Sequence, residues 1–253
     1  MDTTRKPIPR GIYILPNLFT TASLLAGFIG LVNAAQGDIH SCALMVLISA
    51  VMDGLDGKVA RLTGTASEFG IQYDSLSDLV AFGVTPAFMV WVWMLQDFGR
   101  WGIAVSFLFV ACAALRLARF NVSTTLGTKK FFIGLPSPAG GCTLALIVFV
   151  CSYAPEFLLP HLPKVMVAVT FGVALLMVSR VRYFSFKEFG FLRSHPFRSL
   201  VGMMVGVSLL YSEPQLFGPL LCLLYVLSGM IYTFVILPTR NRRLLRSLSD
   251  NLS

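Results

Sequence analysis

Charged side chains are scarce in this 253-residue sequence. Asp, Glu, Lys and Arg together make up 13% of the residues, whereas soluble domains usually carry about 25%. Hydrophobic residues make up 56%, and the mean hydropathy is +0.76. No stretch is polar enough to form even one soluble domain. The composition therefore predicts an all-α bundle of membrane helices, built as a single domain over residues 1–253.

Cysteine and histidine do not occur in patterns that metal or disulfide chemistry would need. The five cysteines all fall in apolar stretches, show no CxxC spacing and have no histidine close by in the sequence. This arrangement argues against disulfides and against a zinc site, and it predicts small buried apolar side chains. The three histidines are scattered near predicted helix ends and receive no role. The sequence also lacks internal repeats and low-complexity linkers.

Eight hydrophobic segments follow one another, and a membrane helix needs about 20 apolar residues. We therefore expect about eight transmembrane helices. The basic, aromatic stretch 180–198 is predicted to lie at the membrane interface, and the basic stretch 238–253 is predicted to be a cytoplasmic tail. The first segment is longer than the apolar part of a signal peptide, about 7–15 residues, so it is predicted to be an uncleaved helix. The segments are 11–35, 41–60, 73–96, 101–122, 137–154, 163–179, 199–212 and 215–237.

Lysine and arginine are distributed unevenly between the two ends of the predicted helices. With a cytoplasmic N-terminus and eight alternating helices, 18 of the 20 Lys and Arg residues lie on the cytoplasmic side, and only Arg100 and Lys164 lie outside. This positive-inside pattern predicts a multi-pass protein of the inner (cytoplasmic) membrane with both termini in the cytoplasm. The net charge of +8 then reflects topology and attraction to anionic membrane lipid, and no nucleic-acid partner is expected.

Two pairs of aspartates stand where the second and third predicted helices meet the cytoplasmic side. Asp53 and Asp56 are spaced i, i+3, and Asp74 and Asp78 are spaced i, i+4, so each pair shares one helix face. The two helices run in opposite directions, so the two faces can oppose each other. Asp53 follows Ser41 by about 18 Å of helix rise, which puts it near the inner interface rather than in bulk water.

Four carboxylates in so apolar a place need a compensating partner, because a charge at the bilayer centre costs about 2.5–3.5 kcal/mol on insertion scales. Carboxylate oxygens suit Mg²⁺ or Mn²⁺, and no soft Cys/His set indicates zinc. Two such ions about 4 Å apart form a clamp for phosphoryl transfer. Gly54, Gly57 and Gly70 are small residues that allow close helix packing and leave room for a phosphate or a base.

The aspartates by themselves leave other interpretations open. Intramembrane carboxylates also occur in proton relays and in the ion sites of transporters. Pairing with Lys58 and Arg61 would make them merely structural, and a lipid-binding scaffold without chemistry is a further reading. Four carboxylates at paired spacings favour a functional site, but periodicity cannot separate an enzyme from an ion-coupled transporter.

The region from residue 53 to residue 78 reads D-x-x-D-G-x-x-A-R, eight residues, then G-x-x-x-D-x-x-x-D. This pattern resembles the signature of the CDP-alcohol phosphotransferase family at every position. The resemblance implies a bundle of membrane helices, usually a homodimer, with a polar cavity open to the cytoplasm and a requirement for divalent metal, Mg²⁺ or Mn²⁺. The matching residues are Asp53, Asp56, Gly57, Ala60, Arg61, Gly70, Asp74 and Asp78.

The resemblance also implies roles for these residues. Asp53, Asp56 and Asp74 would hold metal on the pyrophosphate of CDP-diacylglycerol. Asp78 would help to hold a second metal and would act as general base on the incoming hydroxyl group. The expected contacts to the CDP portion come from the signature and from the first helix: Asn17, Thr20, Gly57, Ala60, Arg61 and Gly70.

Further motifs resemble the bacterial branch of this family that uses serine as acceptor: "LPNLFT", "AFGVTPA", "RLARFNV", "FIGLPSPAG" and "VSRVRYFSFKEF". That branch implies transfer of a phosphatidyl group from CDP-diacylglycerol to L-serine, with release of CMP. Glycerol 3-phosphate or an inositol phosphate stays open as the acceptor. Arginines at a helix end are otherwise snorkelling anchors. The residues predicted on the acceptor side are Arg116, Arg119, Asn121, Arg180 and Lys187.

Overall fold

A computed structural model describes residues 14–64, 67–125, 132–151 and 159–183, together with residues 220, 224–226 and 228–229. This part of the chain is helical apart from its loops and one small two-stranded ladder. Five of its helices are long and apolar enough to cross a membrane, so the protein is a multi-pass membrane protein. The helices are α1 Ile14–Ala35, α2 Ile39–Thr63, α3 Glu68–Phe98, α4 Arg100–Thr125, the shorter α5 Ser137–Cys151 and α6 Leu162–Val178, with a 3₁₀ turn at Leu159–His161.

The observed helices confirm the first six predicted segments, with shifts at their ends. The largest shift is in α3, which begins at Glu68 rather than at residue 73, because Ser67 caps it by accepting a hydrogen bond from the Gly70 N–H at 3.0 Å. Helix α2 begins after the cap residue Asp38, whose carboxylate accepts from the Ser41 N–H. A hydrogen bond from the Ser41 side chain and this backbone bond together lower the pKa of Asp38. The predicted seventh helix and most of the eighth lie outside the described residues.

Helix α3 is the central helix of the bundle and is the most buried of the five candidate spans. It is not a regular α-helix throughout. A π-helical segment, Leu79–Val84, follows Asp78 directly, and a second one covers Trp91–Leu95. Its buried face forms much of the apolar core, together with residues from the neighbouring helices. A π-helical turn changes the direction of every side chain after it, and such turns are frequent at functional sites.

Two glycines let neighbouring helices approach the first π-helical segment. A Cβ atom on Gly27 of α1 would lie 2.9 Å from Ala81 Cα, and one on Gly141 of α5 would lie 3.0 Å from Phe82 Cα. The Thr85 hydroxyl donates to the Gly27 carbonyl at 3.0 Å, which closes the contact between α1 and α3. The backbone that carries Asp78 is therefore held from two sides by close helix packing.

The Gly27 contact predicts a stability difference between two glycine variants. Gly27→Ala should lower the free energy of unfolding by about 1–3 kcal/mol, because the added methyl group would overlap the Ala81 backbone. Gly172→Ala is the matched control: a Cβ there meets nothing within 4 Å, and alanine should stabilise the helix by about 0.5–1 kcal/mol. Thermal unfolding in detergent would measure both, and equal effects would contradict the close approach.

One element departs from the predicted all-α fold. Strand β1, Phe132–Ile133, pairs antiparallel with β2, Arg182–Tyr183, so that Phe132 faces Tyr183 and Ile133 faces Arg182. The stretch 180–198 was predicted to lie at the membrane interface, and Arg182 and Tyr183 near its start pair with the segment before α5. The reason is a long-range backbone pairing between residues about fifty positions apart, which local sequence patterns do not reveal.

Candidate active site

Three of the four aspartates meet where the C-terminal part of α2 lies against the N-terminal part of α3. Carboxylate oxygens of Asp53, Asp56 and Asp74 all lie within 4.8 Å of one another. The i, i+3 spacing places Asp53 and Asp56 on one face of α2, and α3 brings Asp74 against that face. The predicted opposition of the two helix faces is therefore present in the structure.

Asp78 lies one turn further along α3 and is deeper in the bundle. Its side chain is only 8% exposed. Asp53 lies between the two α3 aspartates, because its carboxylate is within hydrogen-bonding distance of both Asp74 and Asp78. The four side chains thus form one continuous group of acidic oxygens, with Asp56 at one end and Asp78 at the other.

The acidic group suits a hard divalent cation. Asp74 Oδ1 and Asp78 Oδ1 are buried and have no hydrogen-bond partner among the described residues. Buried carboxylate oxygens normally bind a hydrogen-bond donor or a cation. The donor set is made only of carboxylate oxygens, which are the ligands of Mg²⁺ and Mn²⁺ rather than of zinc. The residues present therefore fit the metal that the sequence predicted, and Asp53, Asp56 and Asp74 are the three closest together.

Helix α1 orients one end of this group. The Thr20 hydroxyl is buried and donates to Asp56 Oδ2 at 2.8 Å. The Ser77 hydroxyl donates in turn to the Thr20 carbonyl at 3.1 Å, which ties α3 to the same turn of α1. Asp56 is therefore oriented by the Thr20 hydroxyl and by a backbone hydrogen bond from Gly57.

The residues predicted to contact the nucleotide surround the same end of the site. Gly70 lies against α1: a Cβ atom there would be 3.4 Å from Asn17 Oδ1, so a larger residue would crowd the asparagine. Gly57 and Ala60 are half-buried on α2 one and two turns after Asp53. Arg61 lies in the last turn of α2, and its side chain is outside the described part of the structure.

A buried arginine faces the other end of the acidic group. Arg116 of α4 is 8% exposed, and its guanidinium interacts electrostatically with Asp78 and Asp53. Its Nη1 donates to the hydroxyl of Ser137 at the start of α5. A snorkelling anchor would reach toward the lipid headgroups, whereas this side chain turns into the bundle. Arg116 therefore belongs to the site.

Asn121, one turn after Arg116 on α4, is held by side chains of α3. Its Nδ2 donates to Gln72 Oε1 and to Ser75 Oγ, both at 3.0 Å, and Ser75 donates to Asn121 Oδ1 at 3.2 Å. Ser75 is the neighbour of Asp74 in the chain. The structure thus places Asn121 on the seam between α3 and α4, where it fixes the register of the two helices.

The remaining predicted acceptor residues are exposed where the structure describes them. Arg119 and Arg180 are exposed in the structure, and Lys187 lies outside the described residues. Four of the five cysteines fall within the described part, and all four are free thiols, with Cys42 and Cys112 buried. The burial of Cys42 and Cys112 agrees with the prediction of buried apolar cysteine side chains.

Two site residues were missed by the sequence reasoning. Ser137 lies in the motif "FIGLPSPAG" quoted above but was given no role of its own, although a hydroxyl between two prolines was a usable signal. Tyr225 interacts electrostatically with Arg116 and has no local motif that would single it out. Both contribute through a contact with Arg116, whose position could not be known before the fold.

The fold and the site define a multi-pass membrane protein with a group of carboxylates between its helices whose oxygens suit a divalent cation. Comparison of the sequence with known protein families identifies the family to which this membrane protein belongs. The family described as CDP-alcohol phosphatidyltransferase matches residues 13–179, which is more than half of the chain. The chain therefore belongs to the CDP-alcohol phosphatidyltransferase family, as its aspartate signature indicated.

Individual relatives are similar over most of the same region. The CDP-diacylglycerol–serine O-phosphatidyltransferase of Helicobacter pylori is 41% identical over 177 residues, covering 70% of this chain and 74% of the relative. The protein of that name from Methanocaldococcus jannaschii is 32% identical over 223 residues, covering 88% and 95%. The archaetidylserine synthase of Methanothermobacter thermautotrophicus is 33% identical over 171 residues, covering 67% and 69%.

Proposed function

We propose that this protein transfers the phosphatidyl group of CDP-diacylglycerol to L-serine, giving phosphatidylserine and CMP. The observation that carries the proposal is the acidic group of α2 and α3 with the buried Arg116 opposite Asp78. The family signature lies within this group, and the printed names of the relatives above refer to serine or to archaetidylserine. The aspartates suit the transfer of a phosphatidyl group, and the arginine suits an acceptor that carries a negative charge.

Asp78 is the residue proposed to activate the acceptor. An alcohol is a weak nucleophile, so a base within reach of its proton assists attack. The serine hydroxyl gives its proton to the Asp78 carboxylate as its oxygen forms a bond to the β-phosphorus of CDP-diacylglycerol. The bond from that phosphorus to the oxygen of CMP breaks, and CMP leaves with the electron pair. The burial of Asp78 keeps bulk water, the competing nucleophile, away from the base.

Asp53, Asp56 and Asp74 are proposed to hold divalent metal, Mg²⁺ or Mn²⁺, and Asp78 is proposed to share a second ion. When bound, the metal supplies positive charge that stabilises the pyrophosphate and the departing CMP. Thr20 contributes by fixing the rotamer of Asp56 through its 2.8 Å hydrogen bond. The carboxylates also keep the nucleotide end of the substrate at the inner ends of α2 and α3, while its acyl chains stay among lipid.

The two ends of the site are proposed to bind different parts of the substrates. Asn17, Thr20, Gly57, Ala60, Arg61 and Gly70 form the CDP end, where the absence of side chains on the two glycines leaves space for the nucleotide. Arg116 forms the acceptor end and binds the serine carboxylate, since a guanidinium pairs with a carboxylate in a bidentate manner. Asn121 supports that end by joining α3 to α4. Arg119, Arg180 and Lys187 are proposed to draw anionic substrates toward the opening.

The proposed orientation of the protein in the membrane follows from the distribution of its basic residues. We propose one domain over residues 1–253 with about eight helices in the inner membrane and both termini in the cytoplasm. The site then opens to the cytoplasm, where serine and CDP-diacylglycerol headgroups are accessible. A homodimer is proposed from the family resemblance alone.

The Thr20 hydrogen bond predicts a change in metal requirement. Thr20→Val should raise the metal concentration needed for half-maximal activity about 10-fold or more, because partners of metal-binding side chains typically contribute 10–100-fold to affinity. Thr21→Val is the control, since the Thr21 hydroxyl contacts the Tyr73 hydroxyl at 2.9 Å and not an aspartate. Titration of Mn²⁺ against CMP release would measure both, and equal curves would contradict the role of Thr20.

The identity of the acceptor is tested by comparing small alcohols as substrates, each supplied separately. Purified protein in detergent is given CDP-diacylglycerol with serine, glycerol 3-phosphate or inositol phosphate at equal concentrations. We expect serine to give the largest kcat/KM for CMP release. A preference for a phosphorylated acceptor would keep the family assignment and contradict the serine assignment.

A further inference from the structure

Tyr183 carries a buried hydroxyl group that the proposed reaction has not used. The side chain is 1% exposed, and its hydroxyl has no hydrogen-bond partner among the described residues. Buried tyrosine hydroxyls normally have a partner, and phenylalanine fills the same space without the cost of an unpaired hydroxyl. Within the described residues, this hydroxyl is therefore available to a ligand.

The Tyr183 ring is held in a fixed position. Its backbone is in β2, opposite Phe132 of β1. Gly134, directly after β1, donates its N–H to the Val181 carbonyl at 2.8 Å. Gly134 has φ +89°, and a Cβ atom there would overlap the Met177 carbonyl oxygen, so only glycine fits. A Cβ atom on Gly229 would likewise overlap the Tyr183 ring. A ring fixed in this way can place one hydroxyl group with little freedom.

The Tyr183 ring lies next to Tyr225, a residue that interacts electrostatically with Arg116. It packs against the ring of Tyr225 with a centroid distance of 5.6 Å and an angle of 34° between the planes. Tyr225 interacts electrostatically with Arg116, and Arg116 with Asp78. Ser137, the hydrogen-bond acceptor of Arg116, begins the helix that follows the Gly134 turn. The strand pair and the start of α5 thus form one wall on the Arg116 side of the site.

We infer that Tyr183 is a specificity-determining residue whose hydroxyl donates a hydrogen bond to the acceptor carboxylate, beside Arg116. The inference rests on the proposed serine acceptor and deepens it. A hydroxyl donor and a guanidinium together favour an anionic oxygen, and the ammonium group of serine is disfavoured next to Arg116. Burial raises the pKa of Tyr183 to about 12, so the phenol keeps its proton at neutral pH and can donate.

Removal of this hydroxyl tests the assignment. Tyr183→Phe should raise the KM for serine about 10-fold, the usual effect of losing a hydrogen bond to a charged group. The KM for CDP-diacylglycerol should stay the same, and the Tm of the substrate-free protein should not fall, because the hydroxyl has no partner in the described part of the fold. A structural role would instead lower the Tm or change both KM values together, and either result would overturn the inference.

The matched control removes a second buried hydroxyl far from the acceptor wall. Thr170 of α6 is 0% exposed, and its Oγ1 also lacks a partner within the described residues. It lies about 10 Å of helix rise before Met177, the α6 residue next to Gly134. Thr170→Val should leave the serine KM unchanged. An equal rise in both variants would mean that loss of any buried hydroxyl disturbs the protein, and would overturn the role of Tyr183.

A second readout uses ethanolamine, which has the hydroxyl and ammonium groups of serine but no carboxylate. Wild-type protein should prefer serine, and Tyr183→Phe should reduce the serine-to-ethanolamine ratio of kcat/KM about 10-fold. An unchanged ratio would overturn the inference while the serine activity of the wild type still supported the proposed function. Absence of serine-dependent CMP release in the wild type would contradict the proposed function, and the assignment of Tyr183 with it.

Discussion

Asp78→Asn should reduce serine-dependent CMP release by about 10²–10⁴-fold, the usual contribution of a general base. Asparagine has the shape of aspartate but cannot accept the hydroxyl proton. The fold should tolerate the change, because Asp78 Oδ1 has no hydrogen-bond partner in the described structure and loss of one negative charge reduces the repulsion among the aspartates. Steady-state CMP release would measure the loss, and circular dichroism would show that the helices remain.

The control is the same substitution at the opposite end of the same helix. Asp97 is exposed in the last turn of α3, far from the acidic group, and Asp97→Asn should leave CMP release unchanged. Binding of CDP-diacylglycerol should persist in Asp78→Asn, because the other three aspartates remain. Retention of more than a tenth of the wild-type kcat would contradict the role of Asp78 as the base.

Removal of divalent metal should abolish CMP release, and Mg²⁺ or Mn²⁺ should restore it. The expectation follows from three carboxylates with oxygens within 4.8 Å of one another in an apolar bundle, which repel each other unless a cation binds. The same metal should also raise the Tm of the substrate-free protein, since saturation at 100 times the Kd stabilises a fold by about 2.7 kcal/mol. The Tm shift does not depend on activity, so it tests the site itself.

Asp74→Asn separates a specific site from general charge screening. The variant should lose most of the Tm shift caused by Mn²⁺, because one of the three closest ligands is weakened. Asp97→Asn, which removes the same charge elsewhere, should keep the full shift. Activity that survives thorough chelation, or a Tm shift equal in both variants, would contradict the proposed metal site.

The acidic half of the site was readable from the sequence because helix geometry is regular. Spacings of three and four residues put Asp53 and Asp56, and Asp74 and Asp78, on common faces, and the hydrophobic segments showed that the two helices run in opposite directions. No tertiary information was needed beyond the contact of two adjacent helices. The scarcity of charge elsewhere made these four carboxylates stand out.

The acceptor half could not be read in the same way. Whether Arg116 turns inward to Ser137 or outward to lipid depends on the packing of α4 against α5, and both directions fit the sequence of α4. The pairing of Phe132 with Tyr183 joins distant segments and leaves no periodic signal. The π-helical segment after Asp78, against which Gly27 and Gly141 pack, likewise has no periodic signal in the sequence.

The most direct test of the account is the stoichiometry of the reaction in purified protein. With CDP-diacylglycerol, labelled serine and Mn²⁺, we predict one phosphatidylserine formed for each CMP released, and neither product in Asp78→Asn. Movement of serine or ions across proteoliposomes without CMP, from folded protein with metal present, would contradict it and would make the four aspartates the ion site of a transporter.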